Sequence, residues 1–272
     1  MELIFLSLLL GVGAVVGLLG GGDSDDDGPA NAGDDTIIGT ALADRIEAGA
    51  GNDVVNSLEG DDQLFLGVGD DTANAGPGED RIFGGGGKDD VQGGPGNDTI
   101  SLDGGNDRSV GVDLGGIPQD GGDDTIRGGP ANDVILDRFG TNRLFGDEGA
   151  DTLNAVDDSG DNTPDELSGG FGTDTLIGDD GDQFAGNDGL DAFTGAFDEI
   201  GEDPVRISDF DTANETLRLQ FEDATFAPVS NADLSFNTLN APDRVEVLVN
   251  GTVYAVLEGA TAPPANVTVE MV

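Results

Sequence analysis

The sequence predicts an all-β fold, wound as a flattened coil of short parallel strands. Three observations carry this expectation. An aspartate recurs every nine residues, an apolar residue follows it two positions on, and a glycine precedes it by two positions. The first block gives Asp35, Asp44, Asp53, Asp62, Asp71, Asp80, Asp89, Asp98 and Asp107 in unbroken register. The apolar column reads Ile37, Ile46, Val55, Leu64, Ala73, Ile82, Val91 and Ile100, and lapses only at Ser109. The glycine column runs from Gly33 through Gly51, Gly60, Gly69, Gly78, Gly87 and Gly96 to Gly105, broken only by Leu42.

Each column has a physical task. An apolar residue flanked by polar neighbours and punctuated by glycine is too short a run for a helix and reads as a strand with one inward side chain. Glycine permits the positive φ of tight turns and the close approach of neighbouring backbones. One nine-residue unit buries about one apolar side chain and cannot fold alone, so units must stack. With two units per turn, Asp35, Asp53, Asp71, Asp89 and Asp107 line one edge, and Asp44, Asp62, Asp80 and Asp98 the other.

The register slips and resumes. A second block carries Asp124, Asp133, Asn142 and Asp151, and a third Asp165 and Asp174; after a one-residue deletion come Asp182 and Asp191. Ile126, Ile135, Leu144, Leu153, Leu167, Leu176, Phe184 and Phe193 stand in the apolar column. Insertions or degenerate turns are expected near residues 108–121 and 155–164, the latter polar and turn-rich.

Composition bounds the chemistry. The chain has 272 residues with 56 acidic against 10 basic, a formal charge of −46, and 47 glycines. Such a balance alone fits either disorder or a fold with multivalent cations built into it. Nucleic acid is excluded as a partner, because phosphate binding needs clustered Lys and Arg. With no cysteine and no histidine, thiolate and imidazole metal sites and the Ser-His-Asp triad are all excluded. Strands stacked at about 4.8 Å bring the column aspartates close enough to repel unless a cation lies between them. Calcium, taking 6–8 oxygens at roughly 2.3–2.6 Å, suits such a gap better than magnesium with its tighter octahedron. Turn formation on a solvated face is the competing role for these residues, but it does not account for aspartate over asparagine.

The units GAGNDVVNS, GPGEDRIFG, GGPGNDTIS and GTDTLIGD resemble the RTX, or haemolysin-type, calcium-binding nonapeptide GGxGxDxUx. The resemblance spans residues 31–194 and implies a parallel β-roll with calcium held between successive turns. It places ligation on Asp35, Asp44, Asp53, Asp62, Asp71, Asp80, Asp89, Asp98, Asp107, Asp124, Asp133, Asp151, Asp165, Asp174, Asp182 and Asp191. Asn142, Leu42, Ala131 and Ser109 depart from the pattern.

The ends differ from the middle. Residues 195–272 read as a small antiparallel β cap, with RVEVLV and TVYAVLE joined by Asn250-Gly251 as a hairpin with a type I′ turn. RISDFDTANETLRL also resembles the segment that follows the repeats in RTX proteins, a family that leaves the cell by type I secretion on an uncleaved C-terminal signal; the Val267–Val272 end fits such a signal or an ordinary cap strand. Residues 1–19 form an apolar leader, read as an anchor, an export signal or a short helix capping the roll, and membrane contact is expected only through residues 3–19. Residues 20–30 are an acidic, glycine-rich linker.

The function expected is a non-catalytic, secreted or surface calcium-binding protein that folds on calcium outside the cell, with the type I secretion machinery as its other partner. The alternatives are an adhesin or matrix protein binding a surface polysaccharide, and a carbohydrate-active enzyme module. Residues 195–272 are few for a catalytic domain, and no distinct carboxylate pair stands out from the regular spacing.

Overall fold

The computed structural model describes residues 33–110, 122–157, 163–197, 203–221, 230–238 and 244–271. The expected leader (1–19) and linker (20–30), most of the insertion near 108–121 and the middle of that near 155–164 lie outside the described residues. The chain divides into two compact units, residues 1–126 and 127–272.

In the first unit every repeat contributes one strand. These are β1 (Thr36–Ile38), β2 (Arg45–Ala50), β3 (Val54–Asn56), β4 (Gln63–Val68), β5 (Thr72–Asn74), β6 (Arg81–Gly86), β7 (Asp90–Gln92), β8 (Thr99–Gly104) and β9 (Arg108–Val110). They sort into two parallel sheets in the orders β1-β3-β5-β7-β9 and β2-β4-β6-β8, the parallel β-roll expected from the period. The register follows the sequence. Ile37 pairs with Val55, Val55 with Ala73 and Ala73 with Val91 in one sheet; Ile46 pairs with Leu64, Leu64 with Ile82 and Ile82 with Ile100 in the other.

Strand alternation explains what is buried. The motif aspartate and the residues two and four positions on all point inward. Ile46, Leu64, Ile82 and Ile100 are buried at the second of these, and Ala48, Leu66 and Leu102 at the third. Each fully buried Leu or Ile contributes about 1.5–3 kcal/mol relative to exposure. The third position is a second inward column, filled otherwise by small residues such as Ala75 and Ser57, whose hydroxyl donates to the Ala75 carbonyl at 2.8 Å. Ser109, where the apolar column lapses, is buried in β9 and pairs with Val91, so the roll runs on to Val110 with a hydroxyl in place of a methyl.

Glycine is required where turns stack most closely. Gly69 has φ +145, and a Cβ there would run into the carbonyl oxygen of Gly51. Ala131 holds the same column at φ 98 and carries the strain a Cβ brings to this backbone region.

β10 (Thr125–Pro130) straddles the boundary between the units. In the second unit, β11 (Val134–Leu136), β13 (Thr152–Asn154), β15 (Thr175–Gly178), β17 (Ala192–Phe197) and β19 (Thr216–Phe221) alternate with β12 (Arg143–Gly149), β14 (Glu166–Gly172), β16 (Gln183–Gly189) and β18 (Val205–Ile207). The remaining strands are β20 (Leu234–Asn237), β21 (Arg244–Val249), β22 (Thr252–Glu258) and β23 (Val267–Met271). The C-terminal region is woven into the roll. β19 pairs parallel with β23 and β18 parallel with β22, and only β22-β21 and β21-β20 are antiparallel. The Asn250-Gly251 turn has φ 52 and 86, both positive as a type I′ turn demands. Here the core changes material: Tyr254 packs edge-to-face against Phe197 and Phe221 at 4.9 Å, those two rings stack at 5.6 Å, and Phe193 stacks on Phe184. Among the described residues no helix is long and apolar enough to cross a membrane.

Candidate metal centre

The motif aspartates close each turn just before the next strand begins. Because the position two residues on is inward, the aspartate is inward as well. Asp53, Asp62, Asp71, Asp80, Asp89, Asp98, Asp107, Asp124, Asp133, Asp151, Asp165, Asp174, Asp182 and Asp191 are all buried, with exposures of 0–2%. Asp44 is buried at 3%, and Asp35, in the first described turn, is partly buried.

One oxygen of each carboxylate is committed to the fold. Asp53 Oδ1 accepts the backbone N–H of Asp35, Asp71 Oδ1 that of Asp53, and Asp89 Oδ1 that of Asp71. On the other edge Asp62 Oδ1 accepts from Asp44 and Asp80 Oδ1 from Asp62. In the second unit Asp133 N–H donates to Asp151 Oδ1, Asp151 to Asp174 Oδ1, and Asp174 to Asp191 Oδ1. At each of these steps a carboxylate sits with one oxygen anchored.

The second oxygen is left over. Oδ2 of Asp53, Asp62, Asp71, Asp80, Asp89, Asp151, Asp174 and Asp191 is buried and accepts no hydrogen bond. Buried charged oxygens without partners are costly, and natural folds hold them only where they are paired or coordinate a metal. Burial, reinforced by neighbouring carboxylates against the anchoring N–H, pushes Asp80 and Asp89 up to about 7 and Asp151 to about 6. Asp182 is raised well above the usual carboxylate range by burial and by Asp165. A bound cation opposes these upward shifts by favouring the ionised carboxylates.

The donor set fits calcium. It consists of hard oxygens alone, in a chain with no His or Cys. No three acidic side chains converge on one point among the described residues, so a cation here would have to draw on carboxylates of successive turns and on backbone carbonyls. That mixed oxygen shell is the kind calcium accepts.

Two predicted positions are engaged differently. Thr40 N–H donates to Asp44 Oδ2 at 2.6 Å, with the Thr40 hydroxyl beside both oxygens. At the shortened turn, Asp179 N–H donates to Asp182 Oδ2 at 2.8 Å. Both carboxylates are therefore held from inside their own turn.

Two features escaped the motif. The residue just before the motif aspartate forms a second, exposed ladder. Asp34 Oδ1 accepts from Asn52 N–H, Asn52 Oδ1 from Asp70 N–H, and Asp70 Oδ1 from Lys88 N–H. Its signal is the run of Asp and Asn immediately ahead of the motif position. Glu215 is the other. It precedes β19 as a motif aspartate precedes its strand, Thr216 N–H donates to the Asp191 carbonyl, and Glu215 is 3% exposed. Burial, with Asp191 and Asp209 nearby, pushes it up to about 7. It lies beyond the periodic region, where spacing has nothing to say.

A family model described as RTX calcium-binding nonapeptide repeat (4 copies) matches residues 29–64, 38–73, 65–100, 74–109 and 119–153. No curated protein matches the chain in sequence.

Proposed function

We propose that this chain, whose residues 29–109 and 119–153 match RTX calcium-binding nonapeptide repeats, is a non-catalytic protein exported through type I secretion and folded by calcium outside the cell. The predicted aspartates from Asp35 to Asp191 would supply the side-chain ligands. The carrying observation is the set of buried Oδ2 atoms on Asp53, Asp62, Asp71, Asp80, Asp89, Asp151, Asp174 and Asp191 that no hydrogen bond satisfies.

The mechanism follows from charge. Without cations, the formal charge of −46 and the buried carboxylates oppose compaction, and a low-calcium cytoplasm leaves the chain extended for export. At extracellular calcium of roughly millimolar, ions that bind only the folded form stabilise it by mass action. The chain's own contribution is to bury one oxygen of each carboxylate against a backbone N–H and to aim the other at the space between turns. A non-catalytic role is supported by the regular placement of the acidic residues and by the absence of His and Cys. The test is far-UV circular dichroism of chelated protein titrated with calcium: a large gain of strand signal is expected, and an unchanged spectrum would sink the proposal.

A further inference from the structure

The motif column has one asparagine, Asn142, and the repeat around it has a second irregularity. The inward position four residues after each motif aspartate holds Gly39, Ala48, Ser57, Leu66, Ala75, Gly84, Gly93, Leu102, Gly128, Gly146, Ala155, Gly169, Gly178, Gly186 and Gly195 elsewhere among the described residues. In the repeat that leads to Asn142 it holds Asp137, which is 0% exposed. The only charged residue in that file stands five residues before the only uncharged one in the motif file.

The geometry links the two positions. A Cβ on Gly84 would lie 2.7 Å from Asp89 Oδ2, and one on Gly39 2.8 Å from Asp44 Oδ2. Cβ atoms on Gly93, Gly128, Gly146, Gly169 and Gly186 would likewise meet the Oδ2 of the aspartate five residues on. In these glycine turns the position therefore lies beside the space that the motif oxygen occupies, and a side chain there reaches the same interior. The backbone around Asp137 is in ordinary register: its N–H donates to the Asn154 carbonyl at 3.0 Å, as Ala75 N–H does to Gln92. The backbone at Asn142 is in register too, its N–H donating to Asp165 Oδ1 at 2.5 Å. What Asn142 lacks is the second carboxylate oxygen.

We propose that Asp137 supplies the carboxylate with which the 137–142 turn binds calcium, exchanging positions with the motif aspartate that Asn142 replaces. This rests on the calcium-binding reading above. The exchange conserves charge at the turn. Asn142 remains useful, because an amide oxygen is an acceptable calcium ligand.

The test uses the full chain and counts bound calcium per molecule by equilibrium dialysis and atomic emission. Wild type, Asp137→Gly, and the double variant Asp137→Gly with Asn142→Asp are compared. Asp137→Gly is expected to bind about one ion fewer, and the double variant, which rebuilds the ordinary repeat, to regain it. An unchanged count in Asp137→Gly overturns the proposal and assigns the turn to the Asn142 amide, which donates to the Phe139 and Gly140 carbonyls at 3.2 and 3.3 Å. If Asp137→Gly loses many ions because the roll collapses, the double variant decides: recovery of the wild-type count sustains the exchange, and failure to recover overturns it. Wild type binding no calcium would fell both readings, whereas wild type binding calcium with an unmoved Asp137→Gly fells this one alone.

Discussion

The regular repeats of residues 33–110 and the strands of residues 203–271 bury themselves with different materials. In the repeats the inward file is aspartate, a single aliphatic residue, and then alanine, serine, glycine or leucine. In the C-terminal strands the inward file is Val205, Ile207, Leu217, Leu219, Phe221, Val245, Val247, Tyr254 and Val256, with Glu215 the one buried acid among the described residues there. The first region buries few large apolar side chains per repeat and buries carboxylates beside them. The second has an ordinary core. On the proposed calcium-driven folding, stability supplied by a ligand and stability supplied by packing would occupy separate stretches of one chain.

The sharpest way to break this contrast is to remove calcium. The chain has one tyrosine and no tryptophan, and Tyr254 is packed at 4.9 Å against both Phe197 and Phe221. Tyrosine emission therefore reports the C-terminal strands, while far-UV circular dichroism reports all strands together. On titration with a chelator, most of the strand signal is expected to disappear at a calcium level where Tyr254 emission is still native. Coincident transitions would show a single cooperative structure and refute the division.

Acid should partly replace calcium. Asp80, Asp89 and Glu215 are pushed up to about 7 and Asp151 to about 6, chiefly by burial. A carboxylate whose folded pKa lies above its unfolded value binds its proton more tightly in the folded chain, so protonation favours folding. The stabilisation is complete below the ordinary value of 3.8 for aspartate and is lost as pH rises through about 7. In chelator, strand signal should accordingly grow as pH falls across that window. In calcium the dependence inverts, because protons compete with the ion for the same oxygens. A flat pH profile in chelator would show that the buried carboxylates do not limit folding of the calcium-free chain.

How much of this could be read beforehand varies with the kind of residue. The nine-residue period located Asp53 through Asp107, the parallel register and two units per turn, because a repeat fixes which side chains share a file. It did not reveal the second inward column. Ala48, Ser57 and Gly84 are small enough to pass for turn residues, and only alternation along a real strand shows them to face inward. The ladder of Asp34, Asn52 and Asp70 was visible as a composition bias but not as hydrogen bonds, since partners eighteen residues apart are set by stacking. The C-terminal hairpin was legible from Asn250-Gly251, whereas the parallel pairing of β18 with β22 and β19 with β23 is a long-range choice that no local pattern encodes. Glu215 falls in neither class: it imitates a motif residue outside the motif.

Paired substitutions give the smallest and most selective test. Phe221→Ala removes a buried ring from the aromatic cluster and should cost about 3–5 kcal/mol, with the same sign in calcium and in chelator. Asp89→Asn should act with opposite signs. Its amide oxygen can still accept the Asp71 N–H that now binds Oδ1 at 3.0 Å, so the turn is kept, while a buried charge held at an unfavourable protonation state is removed. The calcium-free chain is then expected to gain stability at neutral pH. The calcium-loaded chain is expected to lose stability, with the calcium midpoint rising by no less than the roughly 10–100-fold that follows loss of an outer-shell partner. Thermal unfolding in excess calcium and in chelator measures both. If Asp89→Asn destabilised both forms as Phe221→Ala does, Asp89 would be acting through its hydrogen bond and packing alone, and the difference between the two regions would be one of degree, with no change in the source of stability.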